Sequence, residues 1–398
     1  MTLFASFVTS SIHAALGILA IFGGFLQTVI PPQTPATTPS APATMTVTSH
    51  RAIASTTSST TTQKPPKPTA TKDNTHIATS TPYTAPKPSI TPLAAATTQP
   101  AISTPKPAQN VSYRDPEAVN AQLRESLVNI LCTTKGGGYF RPISGSGVII
   151  SGQGVILTNA HVAQFFLLKD YRVKDNVDCI IRTGSPATAT YKAELLYLPP
   201  AWIQTNASKL KDVEATGSGE DDYAFLLITA RTDGAPLPST FTSPLLTTET
   251  PSLDTPAVLD SYPAQFLGGT EIQMNLYASA AVSTVEKLYT FSSTTQTIDA
   301  VSLGSPIVSQ SGSSGGPVAR LTDGALFGII STATEGTTTS SRELRAITLS
   351  HINRSLIEYG QGDFVSFLTT GNLANKANDF NTNTVPGLTK LLEDALGN

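Results

Sequence analysis

Short apolar runs alternate with glycine-rich or polar turns through the middle of this chain. Positions 128–132, 147–150, 155–158 and 179–182 make one set, interrupted by turns such as Ser151-Gly152-Gln153-Gly154. Apolar runs this short, bounded by glycine and small polar residues, predict β-strands rather than helices. A second set follows Pro251, at 257–260, 276–285, 296–303, 316–320, 325–331 and 345–349. Between the sets, Tyr223-Ala224-Phe225-Leu226-Leu227-Ile228 is continuously apolar, as expected of a buried strand. Two groups of short strands predict an all-β fold of two antiparallel barrels.

The period changes at both ends of this region. Asp115 is placed to cap a helix with Pro116 in its first turn, continuing through Val119, Leu123 and Leu127. Past Leu349 the spacing of Ile352, Leu356 and Ile357 is helical, and Leu388, Leu391, Leu392 and Leu396 share one helical face. The expected organisation is a folded domain at 113–357 and a C-terminal tail with a short helix at 358–398.

Before the domain the pattern is of another kind. Leu3 to Ile30 carries no Asp, Glu, Lys or Arg, and positions 14–30 are apolar enough to cross most of a bilayer as a helix. Pro31 and Pro32 follow directly, with no basic n-region before the apolar run. Residues 1–30 are therefore expected to be a transmembrane anchor or an uncleaved signal. Positions 31–112 are dominated by Thr, Ser, Pro and Ala, a composition that buries too little surface to offset chain entropy. They read as a disordered stalk holding the domain away from a membrane, outside the cytoplasm, in the periplasm or at the cell surface.

Composition narrows the chemistry. With 13% charged residues and a net charge of -3, the chain has no basic field for a nucleic-acid partner. Its two cysteines, Cys132 and Cys179, offer no CxxC spacing for zinc and can make one bridge at most. Both fall in apolar strands of a domain read as exported, so a disulfide is expected, with two buried free thiols as the alternative. No metal site and no cofactor is expected.

Acyl transfer needs an activated nucleophile, a base, a group that holds the base, and N–H donors for the oxyanion. Three segments supply such groups in order. Thr158-Asn159-Ala160-His161-Val162 follows the 155–158 strand, and among five histidines only His161 occupies a strand-end turn of the folded region. Asp222 ends an acidic loop and immediately precedes the apolar run 223–228, which would carry it into the core, whereas Asp221, the runner-up, would point the other way. Gly312-Ser313-Ser314-Gly315-Gly316-Pro317 leads into the strand at 318–320. A solvated histidine, a solvated acidic loop and a Ser/Gly linker are the plainer readings of each segment taken singly.

Taken together the segments resemble the chymotrypsin/trypsin-like serine proteases, whose order is His, Asp, Ser, unlike subtilisins or α/β-hydrolases. The motif style is similar to the bacterial Deg/HtrA-type protease domain without a PDZ domain. That likeness extends through Ser144-Gly145-Ser146-Gly147-Val148-Ile149, Tyr262-Pro263, Val282-Ser283-Thr284-Val285 and Phe327-Gly328-Ile329-Ile330-Ser331. The resemblance implies two six-stranded β-barrels, a serine endopeptidase acting on protein or peptide substrates, and a triad of His161, Asp222 and Ser314. It implies an oxyanion hole from the N–H groups of Gly312 and Ser314. Val308, six before the nucleophile, would floor the primary specificity pocket, with Ser331, Thr332 and Ala333 as its opposite wall. An apolar floor is a poor site for Lys or Arg. Ser313 stands where digestive relatives place the aspartate that binds a newly cut N-terminus, so that activation switch is absent. The rival readings are a protease-like domain that binds peptides without turnover, and a tethered surface adhesion protein.

Overall fold

The computed structural model describes residues 112–135, 142–211, 219–292, 296–333 and 342–397. The expected anchor (1–30) and all but the end of the expected stalk lie outside the described residues. Among the described residues no helix is long and apolar enough to cross a membrane.

Helix α1 (Pro116–Arg124) begins as its cap requires, with the Asp115 carboxylate accepting the Glu117 N–H and proline in the first turn. Leu127, expected on the same helix, instead opens β1 (Leu127–Thr134), after the Ser126 N–H and hydroxyl have both donated to the Leu123 carbonyl. The strands β2 (Ile143–Ile149) and β3 (Val155–Thr158) follow, then the single-turn helix α2 (Ala160–Ala163). Next come β4 (Val177–Thr183), β5 (Thr188–Tyr197), α3 (Pro200–Asn206) and β6 (Ala224–Arg231). These strands close an antiparallel barrel in the order β1-β2-β3-β6-β5-β4.

The continuous apolar runs are explained by burial of both strand faces. Along β6, Ala224, Leu226 and Ile228 fill the barrel with Val128, Ile130 and Ile156, while Phe225 and Leu227 pack outward in a second cluster with Val155 and Leu157. That second cluster lies between the barrel, the next sheet and the C-terminal helices.

The second half contains β7 (Pro256–Ser261), α4 (Gly269–Met274), β8 (Ser279–Thr284), β9 (Lys287–Tyr289), β10 (Ala300–Ser302), β11 (Pro317–Arg320), β12 (Leu326–Ala333) and β13 (Leu344–Thr348). Where the second six-stranded barrel is expected, the structure has a curled half-barrel, consistent with the double-barrel reading. The strands form a seven-stranded sheet, β8-β7-β11-β12-β13-β10-β9, with two edges. Its edge strands are chain neighbours, separated only by Val285 and Glu286. At that junction the Val285 N–H donates to Thr255 beside β7, whereas the Glu286 N–H donates to Ser302 on β10. One kinked segment therefore spans the gap, and the sheet curls around the core of Leu259, Val301, Val308, Val318 and Phe327 without a continuous ladder.

The C-terminal segment is more than a tail with one helix. After α5 (Leu349–Glu358) come α6 (Phe364–Thr369), α7 (Leu373–Asn383) and α8 (Val385–Leu396). Phe364, Phe367 and Leu373 join the outer cluster, and Leu388 and Leu392 of α8 seal the barrel core. Asn381 and Thr389 donate to the Leu195 and Leu167 carbonyls, tying the helices to the barrel.

Candidate active site

The register of β3 against β6, with Thr158 opposite Ala224, places the residues after Thr158 beside those before Ala224. His161, on α2, thereby meets Asp222. The imidazole Nδ1 lies 2.8 Å from one carboxylate oxygen of Asp222, and the His161 backbone N–H donates to the other at 2.9 Å. Asn159, whose role the sequence did not disclose, donates its side-chain amide to the Asp222 carbonyl at 2.8 Å. Ser331 donates its hydroxyl to the same carboxylate oxygen that faces His161, at 3.0 Å. Asp222 itself is 4% exposed, so nearly all its acceptor capacity is spent on these groups.

Two effects oppose each other at His161. Burial disfavours the imidazolium, but the charge and hydrogen bond of Asp222 outweigh it, and the pKa stands above the ordinary histidine value of 6.5. Its side chain keeps 31% of its surface open, so the far face of the ring reaches the cleft. Asp221 is turned elsewhere. It holds a left-handed backbone (φ 58°) and accepts hydrogen bonds from Ser355 at 2.8 Å and Tyr359 at 2.5 Å, at the C-terminal end of α5.

Ser314 lies in the loop before β11, and this loop is zipped to the β12 end by the pairs Gly315 N–H to Ile330 O and Ile330 N–H to Gly316 O. Its hydroxyl donates to the Ser331 carbonyl at 3.1 Å, not to His161. Ser331 thus touches both the serine and the Asp222–His161 pair.

The loop is also fastened across to the first barrel by Ser146 of β2. The Ser146 N–H donates to Ser314 O and its hydroxyl to Gly312 O, each at 2.7 Å, while the hydroxyl accepts the Tyr262 N–H at 2.9 Å. Glycine is required on this loop for space as well as backbone. Gly312 has φ 95°, and a Cβ there would sit 2.6 Å from Tyr262 O; at Gly315, with φ 87°, it would sit 2.0 Å from Ser146 O. The N–H groups of Gly312 and Ser314 donate to no acceptor among the described residues.

Val308 is fully buried in the second sheet's core. Ser331, expected on a pocket wall, turns its hydroxyl to Asp222. Thr332 and Ala333 are on β12, but their side chains lie outside the described residues. Cys132 and Cys179 stand directly opposite each other on β1 and β4 and form a disulfide. An apolar groove of about 410 Å³ between Ile150, Leu246, Phe364 and Leu368 contains none of the candidate residues. Ser146 and Asn159 were within motifs already singled out, but nothing in those motifs indicates which loop each would grip.

Residues 145–329 match the family model described as trypsin-like peptidase domain. Among solved structures, the active form of the Rv3671c protease from M. tuberculosis is 17% identical, with a TM-score of 0.38, covering 65% of this chain and 95% of that one. An HtrA-type protease, AlgW, with a tripeptide is 16% identical at a TM-score of 0.38, covering 62% of this chain and 64% of that one. The same protease with a decapeptide gives 15% identity and a TM-score of 0.40, covering 62% and 68%. Comparison with curated proteins gives no match.

Proposed function

We propose that the chain, whose residues 145–329 match the trypsin-like peptidase domain, is a serine endopeptidase working through an acyl-enzyme, with Ser314 as nucleophile, His161 as general base and Asp222 as its holder. The observation that carries this reading is the convergence of Ser314, Ser331, Asp222 and His161 through direct contacts between the two halves of the domain.

Asp222 accepts a hydrogen bond from Nδ1–H and so leaves Nε2 unprotonated toward the cleft, ready to take the Ser314 proton when substrate displaces the Ser331 contact. As the tetrahedral intermediate forms, the N–H groups of Gly312 and Ser314 supply two donors for its oxyanion. His161 then returns the proton to the leaving amine, and water repeats the sequence on the acyl-serine. The substrate is a protein or peptide, with an apolar preference at the residue before the cut. The same reading takes 1–30 as a membrane anchor, 31–112 as a stalk and the peptidase domain as extracytoplasmic, a location suited to the Cys132–Cys179 bridge.

Incubation with a fluorophosphonate tests the mechanism. Wild type is expected to label at Ser314 and Ser314→Ala to remain unlabelled. A folded, peptide-binding but unlabelled wild type would favour the binding-only reading, for which the Ser314–Ser331 hydrogen bond is the supporting observation.

A further inference from the structure

Asp260 of β7 is a carboxylate with no exposed surface, far along the chain from any residue of the triad. Its cationic partner comes from the last turn of α1: Arg124 Nε donates at 2.9 Å and a second guanidinium nitrogen lies at 3.5 Å. Helix α1 is held there by Val119 and Leu123, which pack on Val258, Ala319 and Leu321. The Asp260 carboxylate also accepts the N–H of Ser261 at 2.9 Å. Ser261 in turn donates its hydroxyl to the hydroxyl of Ser313 at 3.0 Å, and both serines are wholly buried. Ser313 is the residue between Gly312 and Ser314, with its own N–H on Gln310 O and its carbonyl accepting from Gly316.

We propose that Arg124, Asp260 and Ser261 are positioning residues for the oxyanion loop, so that α1 sets the placement of the Gly312 and Ser314 N–H groups through Ser313. The inference rests on the proposed role of those N–H groups. An ion pair with a buried carboxylate is a poor source of stability, since an apolar pair of similar volume commonly serves as well or better. Its value here lies in direction. An ionised Asp260 fixes the Ser261 amide and hence the hydroxyl that reaches Ser313. Burial pushes the Asp260 pKa up to about 7, and the charge and hydrogen bond of Arg124 act against that rise in favour of the carboxylate.

The test uses the full chain and a peptide substrate, with kcat, KM and thermal midpoint measured for Arg124→Met, Arg124→Lys, Ser261→Ala and the double variant Arg124→Met/Ser261→Ala. Complete loss of an oxyanion donor costs about 10²–10³ in kcat, so misplacement through this chain of contacts should cost about tenfold. Arg124→Met and Ser261→Ala are each expected to lose that much kcat while KM stays within about twofold, as for an interaction made in the transition state. Arg124→Lys should regain most of the loss, and the double variant should be no worse than the poorer single one. If Arg124→Met does not fold, Ser261→Ala, which removes a single oxygen atom, decides alone. Wild-type kcat in folded Ser261→Ala, or losses that multiply in the double variant, would overturn the proposal. Wild type that turns over and labels at Ser314 while these variants match it sinks this inference only; unlabelled wild type overturns the catalytic reading with it.

Discussion

His161 is raised above 6.5 because Asp222 outweighs burial, and both activity and stability follow from that sign. As the proposed base it must be neutral to accept the Ser314 proton, so kcat/KM should rise with pH along an acid limb centred above 6.5. Asp222→Asn removes the raising influence, and its residual activity should show the limb at lower pH. In stability the raised pKa contributes fully below 6.5 and is lost as pH rises through the folded-state value. Unfolding titrations should therefore show the wild type losing this increment above pH 6.5 relative to Asp222→Asn. The two proposed proton partners form a unit: His161→Ala and Ser314→Ala should each lower kcat by about 10⁴-fold or more, and the double variant by no more than the worse single. Losses that multiply would separate the two residues mechanistically.

Among the elements, α8 departs most from its expected role. Leu392 is wholly buried in the first barrel's core and Leu388 nearly so, although both belong to the segment expected to be a tail. Leu392→Ala should therefore destabilise the domain by about 2–5 kcal/mol, the range for a core leucine, while a polar substitution at half-exposed Leu391 should have little effect. Equal denaturation midpoints for the two variants would contradict the packing. Strand β5 went unread because its first half is polar and partly exposed, and only Leu195, Leu196 and Tyr197 at its end are buried. Strand β9 has three residues and no pattern that periodicity could detect.

For the whole molecule, the property to be tested is selectivity at the proposed pocket. Val308, the proposed pocket floor, carries no charge and clusters with Leu303, Val318 and Phe327. Cleavage of a mixed peptide library should favour Val, Ala or Leu before the cut, with a soft preference, since one methylene is worth about 1–3 kcal/mol. Dominant cutting after Lys or Arg would show that an acid other than this position reads the substrate.

What the sequence determined by itself is what short-range rules can carry. Apolar runs between glycine turns specify strands, Asp115-Pro116 specifies a helix start, and three motifs in His, Asp, Ser order specify the candidate chemistry. The segment Gly312-Ser313-Ser314-Gly315-Gly316-Pro317 was legible because its residues are contiguous. Tertiary structure alone decided which groups meet across long separations. Ser331 reaches Asp222 over 109 positions, Ser146 reaches Gly312 over 166, and Arg124 reaches Asp260 over 136. Hydroxyls and guanidinium groups are common in any sequence, and no periodicity marks the one that will be desolvated beside a given partner. Likewise the seven-stranded second sheet and the helical cap follow from how edges and apolar faces find cover in space, which depends on the packing of every other element.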